Sequence, residues 1–167
     1  MRLGLGLALL GLLATSCGRP ASYPPTLAHA LLDKPLPDFH RSRTLDGAAI
    51  DPEALAGHAV VVKFFAEYCA PCKRTLPAAE HAHESHLDVA FIGISEDEYE
   101  GTAMSLVRRF GLTFPVVKDQ GQALFGRFRV ETIPVTFVAD KAGIVRWVGG
   151  AEQSEADLNA AIEAASR

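Results

Sequence analysis

Cysteine is scarce in this 167-residue sequence, which contains three, at Cys17, Cys69 and Cys72. A zinc ribbon needs a second cysteine pair or a pair of histidines at a set spacing. Because no cysteine follows Cys72, the sequence argues against such a site. Three is also an odd number, which indicates that one cysteine has a role separate from the other two.

The sequence also lacks an excess of positive charge. It has 16 lysines and arginines against 20 aspartates and glutamates, for a formal net charge of −4. No basic patch with interleaved aromatic residues is present, so nucleic acid is not expected as a partner. One acidic cluster lacks the spacing of a calcium-binding EF-hand and is interpreted as a solvated loop. It consists of Glu96, Asp97, Glu98 and Glu100.

No metal site and no cofactor is expected. Three histidines, His81, His83 and His86, fall on the far half of a predicted helix, where His83 and His86 share a face. No third ligand is evident beside that pair. We therefore interpret them as a polar helix face rather than as a transition-metal site.

No apolar run is long enough to span a bilayer. The run from Leu3 to Ala14 covers about half of the ~20 residues that a spanning helix needs. With Arg2 before it, the run predicts a signal peptide over residues 1–16. The residues before Cys17 resemble a bacterial lipobox, although Ala14 replaces the commoner leucine, and so predict lipidation of Cys17 and a membrane-anchored protein on the periplasmic side. The alternative is ordinary cleavage near Ser16 with Cys17 as a stray thiol.

A proline-rich stretch follows the leader. Four prolines between residues 17 and 35 disfavour helix and cannot donate to a β-ladder. We therefore predict a semi-extended tether over 17–35 and a single domain over 36–167. One helical turn is expected near Ala28–Leu32.

Apolar patterning predicts one α/β domain with a mixed central sheet and helices on both faces. Val60–Phe65 is a continuous β-branched and aromatic run, typical of a strand buried on both faces. A helix is predicted from Ala70 to about His86, interrupted by Pro77. Further strands are expected at 89–95, 114–117, 136–139 and 144–148, and further helices at 51–55, 102–110, 120–128 and 154–165.

The chemistry is predicted at a C-x-x-C pair, where Cys69 and Cys72 stand at the junction of a strand and a helix. The N-terminus of a helix favours an anion, and such sites lower a thiol pKa from ~8.5 into the range of about 3.5–7.5. Cys69 is therefore the predicted nucleophile, and Cys72 the thiol that resolves the mixed disulfide. An inert structural disulfide is the alternative, but so small a loop restricts the unfolded chain little.

The segment around this pair resembles the TlpA/ResA-like extracytoplasmic branch of the thioredoxin superfamily. Pro77 stands five residues after Cys72, Thr132-Ile133-Pro134 resembles the cis-proline loop, and 37–39 with 45–47 resembles the N-terminal hairpin of that branch. The resemblance implies a thioredoxin-like fold with an N-terminal β-hairpin extension. It also implies a protein-disulfide reductase that serves cytochrome c maturation or a similar pathway and takes electrons from a membrane reductase. The expected substrate-binding residues are Tyr68, Ala70, Pro71, Ile133 and Pro134.

Two ionisable residues complete the predicted catalytic site. Lys63 stands six residues before Cys69, where thioredoxin has a buried aspartate, and Glu96 ends the second strand, where a glutamate borders the active site of the family. Our hypothesis is a Lys63–Glu96 pair close to Cys72, in which the cation stabilises a thiolate and the carboxylate moves a proton. The alternative is that Lys63 points to the sheet edge and Glu96 to solvent.

Two other functions remain open. A peroxiredoxin-like peroxidase needs a threonine or serine three residues before its cysteine, where this sequence has Ala66. A Sco-like copper-delivery module uses C-x-x-x-C spacing and a late histidine, whereas this sequence has no histidine after His86. Peroxide consumption and copper titration distinguish these functions from disulfide exchange.

Overall fold

The computed structural model of the protein describes residues 22–38, 43–50 and 55–167. The predicted signal peptide, Cys17, Phe39 and most of the predicted helix at 51–55 lie outside these residues. Within the described part of the chain, no helix is both long enough and apolar enough to span a membrane.

The centre of the molecule is a five-stranded mixed sheet, as predicted. Strand β1 (Val60–Phe65) pairs in parallel with β2 (Ala90–Ser95), which pairs in parallel with β3 (Val116–Lys118). On its other side, β1 pairs antiparallel with β4 (Val135–Ala139), which pairs antiparallel with β5 (Val145–Gly149). The order is therefore β3-β2-β1-β4-β5, with β1 at the centre and all six of its residues buried.

In the described part of the chain, four α-helices connect and cover the strands: α1 (Ala70–Ser85), α2 (Glu100–Phe110), α3 (Ala123–Arg127) and α4 (Glu155–Ala165). Helix α1 continues through Pro77, so the predicted interruption is wrong. Gly111 ends α2 in the left-handed conformation, with φ 62°. The predicted capping box at the start of α4 is confirmed, because the Ser154 side chain accepts from the Asp157 N–H and the Asp157 side chain accepts from the Ser154 N–H.

The predicted helix at 120–128 is divided in two. A 3-10 turn at Gln120–Gln122 precedes α3, because Gly121 and Gln122 have φ of 64° and 58°, outside the range of a right-handed helix. The Asp119 carboxylate then accepts from the N–H groups of Leu124 and Phe125 at 2.9 and 2.8 Å, which satisfies the start of α3.

The sheet separates the core into two faces. Val61 and Phe65 of β1 lie on the α1 face, which α1, α2 and α4 cover and which includes Cys69 and Cys72. Val62 and Phe64 lie on the α3 face, which α3 and the N-terminal segment cover. Because side chains alternate along a strand, Lys63 is on the α1 face. This alternation determines which ionisable side chains lie on the same face of the sheet and can meet.

The N-terminal segment, defined as residues 22–36, is docked on the domain rather than free. The Leu27 N–H donates to the Val148 carbonyl at 2.8 Å, the Trp147 indole N–H to the Pro25 carbonyl at 2.9 Å, and the Val145 N–H to the Lys34 carbonyl at 2.9 Å. A turn near Ala28–Leu32 is present, closed by a hydrogen bond from the Leu32 N–H to the His29 carbonyl. The described part of the predicted semi-extended tether therefore packs on the domain, where it covers the otherwise unpaired edge of β5.

The predicted N-terminal hairpin is only partly described. Arg43 bridges antiparallel to Ala49 across the turn that contains Leu45–Gly47, and Thr44 bridges to Val117 of β3. The Leu45 N–H donates to the Val116 carbonyl at 2.7 Å. This turn therefore extends the β3 edge of the sheet.

Candidate functional site

Cys69 and Cys72 are joined in a disulfide at the start of α1. The S–S distance is 2.08 Å and the two Cα atoms lie 5.2 Å apart. Cys69 is the N-cap of the helix, with extended backbone, and its Sγ accepts from the Cys72 N–H at 3.2 Å. The buried strand β1 ends at Phe65, so the pair follows a rigid element after a turn of three residues, 66–68. A first-turn N–H of α1 therefore donates to the sulfur that would carry negative charge after reduction.

The two cysteine residues differ in their exposure to solvent. Cys69 is 6% exposed and Cys72 is fully buried. Around Cys69 the surface is open, because Tyr68 is 69% exposed, Ala70 is exposed and Pro71 is half-buried. A partner molecule therefore reaches Cys69 before Cys72.

The loop before β4 contains a cis peptide bond between Ile133 and Pro134. This is the bond that the family resemblance implies. Ile133 is half-buried and packs against the α1-face cluster, which contains both cysteines, and Pro134 is buried. The five predicted substrate-binding residues thus belong to two segments, one beside Cys69 and one at the start of β4.

Lys63 is buried in the sheet, at 1% exposure. Its ammonium donates to the Thr136 hydroxyl at 3.2 Å, across the β1–β4 pairing that places these two residues directly opposite each other. Because the site is dry, burial lowers the pKa of Lys63 to about 7. The side chain lies on the α1 face of the sheet, which it shares with Cys72.

Glu96 follows β2 and is 9% exposed. Neither carboxylate oxygen accepts a hydrogen bond from the described residues. Burial first, then the charge of Asp119, the hydrogen bond that a protonated Glu96 makes with Asp119, and the charge of Asp97 raise the pKa of Glu96 to about 8. Burial, followed by the charges of Glu96 and Asp97, also raises the pKa of Tyr68, so Glu96 is within electrostatic reach of the residue next to Cys69.

The predicted Lys63–Glu96 pair is not formed. In the β1–β2 register Lys63 lies opposite Gly93 and Phe65 opposite Ser95, so Glu96 is out of phase with Lys63. Glu96 continues the alternation of Ile94, which is on the α3 face, whereas Lys63 is on the α1 face. The alternative for Lys63, a position at the sheet edge, is also wrong because β1 is the central strand.

Several neighbours of the site escaped sequence analysis. Thr136 holds Lys63, and Asp119 acts on Glu96 from the end of β3. The Asp97 carboxylate accepts from the Glu67 N–H at 3.0 Å and fixes the turn before Cys69. Each of these contacts joins residues at least 20 positions apart. These contacts depend on how the strands are placed side by side, which the sequence does not reveal.

The three histidines of the predicted polar helix face have different surroundings. His83 packs edge-on to Phe114, with ring centroids 5.8 Å apart, and His86 contacts Asn159 at 3.3 Å. His81 lies 3.4 Å from Glu155. Among the residues that the structure describes, no three histidine, cysteine or acidic side chains are grouped so as to hold a metal ion.

The sheet order, the C-x-x-C disulfide at the start of α1 and the cis-proline before β4 define a thioredoxin-like protein. The profile of the AhpC/TSA family matches residues 32–148, and the chain belongs to this family.

Known relatives carry names that describe disulfide chemistry. The chain is 30% identical to the thiol-disulfide oxidoreductase ResA of Bacillus thuringiensis over 114 residues, which are 66% of this chain and 66% of that protein. Among solved structures, a thiol:disulfide interchange protein of Chlorobium tepidum aligns with a TM-score of 0.69 at 27% identity, covering 78% of this chain and 94% of that one. The dsbF protein of MTB, solved in mixed oxidised and reduced forms, aligns with a TM-score of 0.70 at 25% identity, covering 75% and 93%.

Proposed function

We propose that this protein is a thiol–disulfide oxidoreductase that exchanges disulfides with extracytoplasmic proteins and works as a reductant. The observation that carries the proposal is the disulfide at the N-terminus of α1, of which only Cys69 is partly exposed. A structural staple has no need of an accessible sulfur at a helix N-terminus, whereas an exchange site does.

The reaction begins with the reduced pair. The Cys69 thiolate attacks one sulfur of a substrate disulfide, so a Cys69–substrate bond forms and the first substrate thiolate leaves. The buried Cys72 thiolate then attacks the Cys69 sulfur, which closes the Cys69–Cys72 bond and releases the second substrate thiolate. Two electrons pass from the protein to the substrate, and a dithiol donor must return them.

The surface around Cys69 supports the binding of a polypeptide substrate. Tyr68, Ala70 and Pro71 border one side of Cys69, and Ile133 with Pro134 forms the other side in this proposal. No backbone hydrogen bond among the described residues engages the N–H or the C=O of Ile133. These groups are therefore available to an extended substrate strand, in the manner of strand addition.

Glu96 is proposed to exchange protons with the site. Its carboxyl, with a pKa of about 8, is largely protonated at neutral pH and accepts no hydrogen bond from the described residues. Because Glu96 is within electrostatic reach of Tyr68, the residue next to Cys69, we propose that its proton is delivered to a thiolate leaving at Cys69 or taken from an attacking thiol there. The hydrogen-bonded Asp97 beside it has its oxygens occupied and is less suited to this role.

Lys63 is proposed to act on Cys72. It shares the α1 face with this buried cysteine, and its ammonium is bonded to a neutral hydroxyl rather than neutralised by a carboxylate. In a dry interior an unneutralised cation favours a nearby thiolate. Lys63 would thus keep Cys72 ready to resolve the mixed disulfide.

The cellular setting is also part of the proposal. The leader over residues 1–16 and lipidation of Cys17 would tether the domain to the membrane on the periplasmic side, where a membrane reductase would supply electrons. Apocytochrome c or other oxidised thiols would be the substrates. Cys17→Ser is expected to move the protein from the membrane fraction to the soluble periplasmic fraction, and unchanged fractionation would contradict the anchor.

The reduction potential of the Cys69–Cys72 couple tests the direction of exchange. A value near or below about −250 mV marks a reductant, and one near −120 mV an oxidant, which would overturn the proposed direction. Peroxide consumption tests the peroxidase alternative. The buried Ala66 brings no hydroxyl to the position that such an enzyme requires, so no consumption above that of a Cys69→Ser variant is expected.

A further inference from the structure

The N-terminal segment runs antiparallel along β5, and its residues 25–27 lie at the end of β5 nearest the cis-proline loop. The Leu27 N–H donates to the Val148 carbonyl at 2.8 Å, and further along the segment the Lys34 carbonyl accepts from the Val145 N–H at 2.9 Å. Between these two contacts the chain turns at residues 29–33. Residues 25–30 therefore form a loop beside the last residues of β5.

Two contacts hold this loop against the segment that contains Pro134. The His29 imidazole lies 3.2 Å from the Arg129 carbonyl, and its ring packs edge-on to Phe137 at 4.9 Å between centroids. Gly150 lies between Leu27 and Pro134, since a Cβ at that glycine would be 2.8 Å from Leu27 Cδ1 and 3.9 Å from the Pro134 carbonyl oxygen. Leu27 and His29 of the N-terminal segment are thus neighbours of the proposed substrate loop.

A groove of about 600 Å³ lies between these parts. Its three walls are residues 25–30, 129–135 and 147–153, and Asp157 also lines it. Leu27 in the first wall is 50% exposed, which leaves half of a large apolar side chain without a protein partner. Gln153 in the third wall has a buried amide whose oxygen and nitrogen make no hydrogen bond among the described residues.

These features suit a polypeptide. An extended chain carries apolar side chains that can cover Leu27, and its N–H and C=O groups can satisfy the Gln153 amide, which is costly to leave unpaired. The charged side chains of the lining are mainly acidic, with Glu131, Glu152 and Asp157 against Arg129, which disfavours an acidic ligand. For a neutral polypeptide, recognition in this groove depends on apolar contact and backbone hydrogen bonds.

We propose that the groove binds the part of the substrate polypeptide that flanks its reacting cysteine, and that Leu27 selects an apolar side chain there. The inference rests on the proposed disulfide exchange. The groove begins at Ile133 and Pro134, and Ile133 packs against the cluster that contains Cys69. A substrate chain joined to Cys69 and crossing Ile133 therefore continues into the groove and towards Leu27.

The test uses the full chain, reduced, in a single turnover with peptides of one cysteine. Each peptide cysteine is joined by a disulfide to thionitrobenzoate. Attack by Cys69 on the peptide sulfur forms the Cys69–peptide bond and breaks the bond to thionitrobenzoate, whose coloured thiolate leaves with the electron pair. The peptides carry leucine, serine or glutamate two residues before or after the cysteine. Each rate is divided by the rate of the same variant with the small disulfide dithiobis(nitrobenzoate).

Wild type is expected to react about fivefold faster with a leucine peptide than with its serine counterpart, on one side of the cysteine, because the contact buries part of one leucine side chain. Leu27→Ser is expected to reduce this ratio to about one, and Leu27→Lys to favour the glutamate peptide instead. The matched control is Leu87→Ser, which removes a leucine that is 88% exposed elsewhere and should keep the wild-type ratio.

Two results would overturn the inference. One is a wild-type ratio near one for every leucine–serine pair, and the other is a Leu27→Ser ratio equal to that of wild type. The Leu27→Lys reversal keeps the test informative if Leu27→Ser loosens the N-terminal segment, because a loosened segment cannot create a preference for glutamate. A wild-type protein that fails to react with the small disulfide would instead overturn the proposed exchange activity itself.

Discussion

The ammonium of Lys63 donates a hydrogen bond to the hydroxyl of Thr136 at 3.2 Å, between the central strand β1 and its antiparallel neighbour β4. Both residues are almost fully buried, and no carboxylate of the described residues forms an ion pair with this lysine. A hydroxyl can accept a bond from either protonation state of an amine but cannot neutralise an ammonium. The state of Lys63 therefore depends on pH near neutrality.

Lys63→Met is expected to stabilise the protein, and most strongly below pH 7. Burial lowers the pKa of Lys63 from 10.5 to about 7, so below pH 7 the folded protein holds a charge that water would solvate better. The gain is at most about 5 kcal/mol and shrinks as pH rises from 7 to 10.5, where the neutral amine no longer penalises folding. Urea unfolding at pH 6 and pH 10 measures the difference, and a gain that grows with pH would contradict this account.

The same variant tests whether Lys63 acts on Cys72. If the ammonium stabilises the buried thiolate, Lys63→Met should raise the pKa of Cys72 by roughly one unit or more in the reduced protein. Thr136→Val is the companion variant, because it removes the hydroxyl partner and leaves the amine in place. Thiol titration by NMR reports both values. An unchanged Cys72 pKa in Lys63→Met would remove the proposed role.

Glu96→Gln is expected to stabilise the protein at high pH and not at low pH. Because the pKa of Glu96 is raised to about 8, the folded protein favours the protonated carboxyl, and its stability falls as pH rises from about 4.5 to 8. The variant should gain about 1–3 kcal/mol above pH 8 and nothing below pH 4.5, as measured by denaturant unfolding. Glu98→Gln, at an exposed neighbour, is the control and should show no such trend.

Glu96→Gln should also alter exchange kinetics. If Glu96 exchanges protons with the site, the rate of disulfide reduction in wild type should change with an apparent pKa near 8, and this inflection should disappear in the variant. Stopped-flow kinetics between pH 5 and 9 records both profiles. Identical inflections in the two proteins would restrict Glu96 to a structural role.

The serine variants of the two cysteines should lose disulfide exchange at different steps. Cys72→Ser keeps the attacking sulfur but not the resolving one, so it should accumulate a covalent Cys69–substrate adduct that reducing agents release. Cys69→Ser should form little adduct, because Cys72 is fully buried. Mass spectrometry after reaction with a disulfide peptide measures the adducts, and the double serine variant controls for Cys17. Comparable adducts from both single variants would contradict the assigned order of attack.

Gly149→Ala is expected to destabilise the protein by about 1–3 kcal/mol. A Cβ at Gly149 would lie 2.1 Å from a ring carbon of Trp147 and 2.6 Å from the Gln153 amide oxygen, so one of these buried groups must move. The control is Gly126→Ala in α3, where a Cβ meets nothing within 4 Å and should raise helix stability slightly. Thermal unfolding compares the two, and equal midpoints would contradict the predicted clash.

The sequence by itself determined the local parts of this protein. The run Val60–Phe65 became β1 with the predicted bounds, because an unbroken β-branched and aromatic run is suited to a strand buried on both faces. Cys69 became the N-cap of α1, because its position relative to that strand and helix is set by a few consecutive residues. The same holds for the capping box at Ser154.

Only the tertiary structure decided which distant residues meet. Lys63 was identified as unusual from its place in an apolar strand, but its partner Thr136 is 73 positions away and is set by the β1–β4 register. Glu96 proved to lie out of phase with Lys63, since a single residue of register exchanges the faces of a sheet. The prolines of the N-terminal segment predicted a semi-extended tether, but the edge of β5 that binds its described part exists only in the folded sheet. Periodicity and capping act over a few residues, whereas register and docking depend on contacts that form only when the whole sheet assembles.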